Sequence, residues 1–274
     1  MGKITASEVN TLRKMSGAGI MDCKNALVES NGDFDVAIEI LRKKGQKVAA
    51  KRADRKSSEG AVIAKVDSKC LNGIIISLNC ETDFVAKNET FVALANQLAE
   101  LGLNYNSLED FLNSKIDSMT VSEKLVQQTG VIGEKLIIGC FEKLSAAYVG
   151  KYIHAGNKIA TLSGFSSSID GIEETAKNIA MQAAAMNPIS LDESGVDQQK
   201  IEKEIEIAKD QLRQEGKPEA MLDDIAKGKL KRFFKDNTLV NQDFIKDNKL
   251  SVSAYVKSIH SDLKITGFKR VALV

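Results

Sequence analysis

The chain has few of the residues from which active sites are usually built. Two histidines, His154 and His260, and four cysteines, Cys23, Cys70, Cys80 and Cys140, are spread along 274 residues. No two cysteines form a CxxC pair, so local spacing assembles no metal-ligand cluster, and the thiols are expected to be reduced and mostly buried. Neither histidine is flanked by a plausible Ser or Cys nucleophile with an acid, which leaves little for acyl transfer or hydrolysis. A GxxxxGK[ST] phosphate loop is absent. Gly17-x-Gly19, in "SGAGIMD", follows a helical pattern instead of a strand and lacks the third glycine of a dinucleotide fingerprint, so a tight interhelical turn is expected. Charge of one sign is missing too. Lys plus Arg number 38 against 37 Asp plus Glu, a net +1, which provides no long-range field to gather nucleic acid or an anionic membrane. The opening "MGKITASEVN" has no apolar signal core and no apolar run approaches a membrane span, so a cytoplasmic location is expected. These absences point away from an enzyme and toward a binding protein, with no cofactor and no metal.

What is present is ordinary globular material, 43% hydrophobic and 27% charged. Three short helices are predicted in the first 55 residues. The first opens at Thr5 or Ser7 with Val9, Leu12 and Met15 on one face; the second carries Met21, Cys23, Ala26 and Leu27; the third carries Phe34, Ala37, Ile38 and Leu41. Then "RKKGQKVAAKRADRK" sets Arg42, Lys43, Lys44, Lys47, Lys51, Arg52, Arg55 and Lys56 against Asp54 alone. Two readings stand for it: an arm touching RNA, or a solvated helix end and linker, favoured because no aromatic is interleaved for stacking.

From Gly60 the pattern turns to β-branched runs, "AVIAKV" and "GIIISL", and then to a helix with Phe91, Leu94, Ala95, Leu98 and Leu101 at helical spacing. Shorter helical patterns surround "SLEDFL" and "SEKLVQQ". A second strand cluster, "EKLIIGCFEKL", "AAYVGKYIH" and "NKIATLSGF", precedes the helix "GIEETAKNIAMQAAAMNP". Strands followed by helix, twice over, suggest a duplicated α+β unit. Ile201, Ile205, Ala208 and Leu212, a break at Gly216 and Pro218, then Leu222, Ala226, Leu230 and Phe233 predict a helical hairpin of coiled-coil type. With about two heptads per arm it needs support from the core or from a second molecule, which leaves a weak homodimer open. "TGFKRVALV" reads as a final strand. The expected division is an N-terminal unit 1–55, a first core unit 56–140, a second made of 141–194 and 236–274, and the hairpin 195–235.

Two stretches carry a family resemblance: "LRKMSGAGIMDCKNAL", Leu12 to Leu27, and "NCETDFVAKNETF", Asn79 to Phe91. With "VIGEK" (131–135), "YIHAG" (152–156) and the hairpin followed by "TGFKR", they make the chain similar to the bacterial elongation factor Ts family. The departures are mild: Ile20 stands where the family often has methionine and Ser16 where threonine is common. The chain also stops at Val274, where some relatives continue into a C-terminal helix, so that contact is expected to be absent. The resemblance implies an α+β fold with a three-helix ubiquitin-associated-like domain, a duplicated core and a protruding hairpin. It further implies exchange of guanine nucleotide on elongation factor Tu, bound in GDP and nucleotide-free states, without direct nucleic-acid or membrane contact. By the same resemblance, Arg13, Ile20 and Met21 grip the partner's nucleotide-binding domain. Thr82, Asp83, Phe84 and Val85 displace magnesium and GDP, and Ile132, Gly133 and His154 form a further contact. From the residues alone, the favoured readings are Phe84 as a strand-to-loop corner tucked into its own core, over an exposed ring, and His154 as a satisfied surface residue, over a contact.

Overall fold

A computed structural model describes residues 4–273. The fold is α+β, with helices, two three-stranded sheets and a projecting hairpin. At the N-terminus, α1 (Ala6–Ser16) starts at a capping box in which Thr5 and Glu8 satisfy each other's backbone N–H. It stops at Gly17, whose positive φ of 70° closes the turn into α2 (Ile20–Glu29). This is the interhelical turn expected of the Gly17-x-Gly19 pair. Asp33 caps α3 (Phe34–Lys51), and Val9, Leu12, Ala18, Cys23, Ala26, Leu27 and Ala37 form a small core among the three helices.

The third helix does not end near Gly45. It continues for two more turns, so most of the basic segment is helical, and Gly45 is buried. The favoured reading of a solvated helix end holds as far as Lys51, with Lys43, Lys44, Lys47 and Lys51 exposed, and the linker begins only beyond it.

Strands β1 (Glu59–Val66) and β2 (Asn72–Cys80) form an antiparallel hairpin. Next come α4 (Asp83–Ala86), α5 (Glu89–Gly102), α6 (Leu108–Asn113), the two-residue pair β3 (Lys115–Ile116) and β4 (Met119–Thr120), and α7 (Val121–Ile132). Strand β5 (Ile137–Ser145) then returns to pair with β2, giving sheet order β1-β2-β5. The second sheet repeats the plan. Strands β6 (Tyr148–Ile153) and β7 (Ile159–Phe165) pair, and α8 (Ile172–Met186) follows. The hairpin α9 (Gln198–Gln214) and α10 (Glu219–Asn237), the short pair β8 (Asp243–Phe244) and β9 (Asp247–Ser251), and α11 (Val252–Ile259) are all inserted before β10 (Ile265–Ala272) pairs with β7. Both units are therefore hairpin, helical insert, third strand.

Strand β5, grouped by its sequence with the second strand cluster, belongs to the first sheet. Its partner β2 lies beyond the whole helical insert, and a pairing of that sequence separation leaves no local signature. A division at 140 cuts β5, and one drawn on strand pairing falls between Ser145 and Tyr148.

Three apolar layers hold the two units. Ala61, Ile63, Ile74, Ile76 and Leu78 face α5, α6 and α7, with Phe91, Leu98 and Phe111 at the centre. The alternate residues Val62, Ala64 and Ile75 face Val149, Ala160 and Leu162, so the sheets stack on each other. Both faces of β2 are covered, which is why "GIIISL" is a continuous apolar run. On the far side, Phe165, Ile172, Ile179, Phe244 and Val256 join the second sheet to α8 and α11. Buried hydroxyls there are satisfied: Thr161 Oγ1 donates to Ala180 O at 2.7 Å and Ser163 Oγ to Ala176 O at 2.9 Å. Among the described residues no helix is long and apolar enough to cross a membrane.

In the hairpin, Ala208 and Leu212 of α9 and Leu222 and Ala226 of α10 are the buried residues, leaving Ile207 and Met221 exposed. Its base is tied by a parallel bridge between Ser190 and Thr238, with Leu239 buried in the second core. Replacing residues 200–232 by a short Gly/Ser linker is expected to leave the core's thermal transition nearly in place. Circular dichroism checks this: loss of strand signal or a non-cooperative melt would make the hairpin part of the core.

Candidate functional site

The turn after β2 is built to present one ring. Thr82 is the N-cap of α4 and accepts from Val85 N–H. Val85 is half-buried against the first core and Ala86 is buried, so the inward side of this single turn is anchored. Phe84 takes the outward side and is 83% exposed, the most exposed of the large apolar side chains among the described residues. The core-corner reading of Phe84 is thereby excluded. Asp83 accepts from Lys87 Nζ at 2.6 Å across one turn of chain, and this hydrogen bond holds its carboxyl below the usual carboxylate range. Cys80, at the end of β2, is fully buried, and burial pushes its thiol up to about 12, so it is inert at neutral pH.

What fixes this turn comes from elsewhere in the chain. Helix α7 ends at Gly133 with φ 81°, which lets the backbone reverse directly into Glu134. The Glu134 carboxylate accepts from Glu81 N–H at 3.1 Å, Thr82 N–H at 3.0 Å and the Thr82 hydroxyl at 2.6 Å. Glu81 in turn accepts from Lys135 N–H at 2.7 Å and from Arg52 at 2.8 Å to each oxygen. The Lys135 N–H, opposed by burial and reinforced by Arg52, keeps the Glu81 carboxyl below its ordinary range. Of the "VIGEK" residues, Ile132 is half-buried against the first core and Gly133 is the helix cap. Glu134, Lys135 and Glu81 lie within stretches that carry the family resemblance and Arg52 within the basic segment, but nothing in their local spacing pairs them with one another, since an acid or base read singly looks like any solvated charge.

His154 is exposed in the turn between β6 and β7, with Nδ1 at 3.0 Å from the Tyr152 hydroxyl. That turn lies on the same rim as Phe84. Lys158 pairs with Glu59, Glu59 sits opposite Cys80 in the sheet, and the Asn157 carbonyl accepts from Val62 N–H at 2.7 Å.

A second exposed set occupies the α1–α2 junction. Arg13 is solvent-facing in the last turn of α1, and Ile20 and Met21, at 51% and 59% exposure, open α2. Met15, 59% exposed, joins them; its sequence spacing had placed it on the core face with Leu12.

This domain is carried by the C-terminal half of α3, which crosses α7 with Gly45 against Gly130. The cations read as a possible RNA arm are partly engaged here: Arg42 pairs with Glu123, Lys44 with Asp22 at 2.5 Å and Arg52 with Glu81. Among the described residues, no group of three or more His, Cys, Asp or Glu is placed to hold a metal ion.

Comparison with known proteins gives this arrangement a context. The profile of the family described as Elongation factor TS matches residues 81–274. Elongation factor Ts of Christiangramia forsetii is 66% identical over 273 residues, covering 100% of both chains, and that of Flavobacterium psychrophilum is 66% identical over the same length and coverage. Elongation factor Ts of Porphyromonas gingivalis is 44% identical over 273 residues, 98% of each chain. With likeness of this extent along its whole length, the chain belongs to the elongation factor Ts family of translation elongation factors.

Proposed function

We propose that the chain is a guanine nucleotide exchange factor: it binds elongation factor Tu, in its GDP-bound and nucleotide-free forms, and promotes release of GDP without making or breaking a bond. The observation that carries this reading is Phe84, a solvent-presented aromatic ring on a turn held by two distant chain segments, at Glu134–Lys135 and at Arg52. An apolar ring held in water at a fixed point has burial energy to release on binding. A GTPase holds GDP through magnesium, a lysine and phosphate-loop amides, so a wedge that disorganises those groups together weakens the nucleotide. Reciprocity then requires that a partner favouring empty elongation factor Tu lower its GDP affinity by the same factor. Thr82 and Val85 act as the wedge's footing. Asp83 starts paired with Lys87, an exposed pair whose exchange for a new donor costs little.

Around the wedge, Arg13, Ile20 and Met21, with Met15, form the anchoring patch. His154 and the Ile132–Gly133 turn provide the further contact near the rim.

The test is stopped-flow release of a fluorescent GDP from elongation factor Tu, titrated with this chain. Acceleration that saturates with concentration is expected, and a flat trace at all concentrations would refute the reading. Met21→Asp and Arg13→Ala are expected to raise the half-saturating concentration by about tenfold with little change in the maximal rate, since each removes ground-state grip worth roughly 1–2 kcal/mol. His154→Ala should do the same more weakly. Wild-type values for all three would remove these residues from the interface.

A further inference from the structure

Helix α4 is one turn long, too short to hold its own shape, because a single turn fixes several dihedrals for one or two hydrogen bonds. A ring carried on such a turn would lose much of its binding energy to ordering, unless something outside the turn orders it beforehand. Resting on the exchange reading above, we infer that Glu134 is the positioning residue for Phe84, and that Glu134, Glu81 and Arg52 join the wedge and the N-terminal helices into one rigid body.

The geometry is specific. All three donors to the Glu134 carboxylate belong to Glu81 and Thr82, the two residues between the end of β2 and the first residue of α4. Both backbone N–H groups at this corner and the capping hydroxyl are thus oriented by one side chain. Thr82 Oγ1 donates to Glu134 while accepting from Val85 N–H at 3.4 Å, so the hydroxyl that caps α4 is itself oriented by the carboxylate. Hydrogen bonds to an ionised acceptor are stronger than neutral ones.

The second half of the link runs the other way. Glu81 holds Arg52, the residue just past α3, through both oxygens, and Lys135 Nζ reaches the carbonyls of Ala53 at 2.5 Å and Arg55 at 3.2 Å. Three chain segments, 52–55, 81–82 and 134–135, are thereby tied together at the two residues that lead into the turn bearing Phe84. With three donors on it, the Glu134 carboxylate has most of its accepting capacity used within the chain. The consequence is mechanical: force on Phe84 is resisted through the end of α3, the helix on which α1 and α2 with their anchoring patch are packed, so grip at α1–α2 and insertion of the ring act together.

The experiment uses the full chain with Glu134→Ala, Glu134→Gln and Arg52→Met, at a temperature where circular dichroism shows each folded. In Glu134→Ala the maximal GDP-release rate is expected to fall about tenfold while the half-saturating concentration changes less than about threefold, the signature of a lost positioning group. Glu134→Gln should recover most of that rate, since its amide oxygen still accepts from both backbone N–H groups. Arg52→Met should instead raise the half-saturating concentration, because the anchor is then no longer fixed to the wedge. Hydrogen exchange at the Glu81 and Thr82 amides is expected to quicken at least about tenfold in Glu134→Ala and not along the rest of β2. An unchanged maximal rate in Glu134→Ala, or equal losses in the Ala and Gln variants, overturns the inference. If the wild-type chain itself fails to accelerate release, the exchange reading falls. The amide measurement still decides the clamp in that case, and unchanged exchange at Glu81 and Thr82 would refute it.

Discussion

Replacing Phe84 by alanine is expected to slow catalysed GDP release at least tenfold while leaving the thermal transition of the protein where it is. The two halves of this result have separate causes. Phe84 is 83% exposed, so its truncation opens no cavity in the folded state. On the partner, burying ~150 Å² of ring at ~25 cal/mol per Å² is worth about 4 kcal/mol, and losing half of that already exceeds the ~1.4 kcal/mol of a tenfold change. Complex formation should persist through the α1–α2 patch. Stopped-flow release and a calorimetric melt on the same preparation decide it: an unchanged rate would mean the ring does not enter the nucleotide site, and a lowered transition would mean it packs at home.

The second large effect is an asymmetry between two facing glycines. Where α3 crosses α7, a Cβ added at Gly130 would stand 2.4 Å from the Gly45 Cα, a backbone atom that cannot step aside. A Cβ added at Gly45 would meet its nearest atoms, among them the Gly130 Cα, at 3.7 Å, an ordinary contact. Gly130→Ala is therefore expected to push the helices apart and destabilise the protein by roughly 1–3 kcal/mol, as overpacked sites do. Gly45→Ala should be neutral or stabilising by up to about 1 kcal/mol, the intrinsic helical advantage of alanine over glycine. Differential scanning calorimetry of the two variants checks the order. Only Gly130→Ala should also raise the half-saturating concentration in exchange, because it alone displaces the domain that carries Arg13, Ile20 and Met21.

The same crossing shows why the third helix runs on beyond its apolar pattern, which ends at Leu41, to Lys51. Lys47, Lys51 and their neighbours, read locally, look like solvated charge after an amphipathic helix. In the folded chain Gly45 and the turns that follow it pack on α7, and Arg52 meets Glu81, so tertiary contact extends a helix that its own apolar pattern does not. Strand β5 is the complementary case. Its strand character was plain in "LIIGCF", but its partner was not, because β2 lies on the far side of α4 to α7 and strand pairing at that separation is chosen by the stacking of sheets. Exposure at the α1–α2 junction divided in the same way: Met15 sits at helical spacing with Leu12 yet stays in water, since the three-helix core is too small to cover it.

By itself the sequence determined the local grammar of this protein. Caps such as Thr5, the period of the apolar residues in α5 and the helical pattern of α8, the unbroken run of β2 and the glycine turn at Gly17 each depend on neighbours a few residues away, and nearby chemistry is what a single sequence records. The two long motifs also pointed to the family and to Phe84. Whether that ring faced the core or the solvent was left to the tertiary structure, and so were the clamp of Glu134, Glu81 and Arg52 behind it and the glycine crossing that seats the N-terminal helices. Each of these joins residues far apart in the chain, and such contacts exist only once the apolar layers have brought the segments together, so no local pattern could carry them.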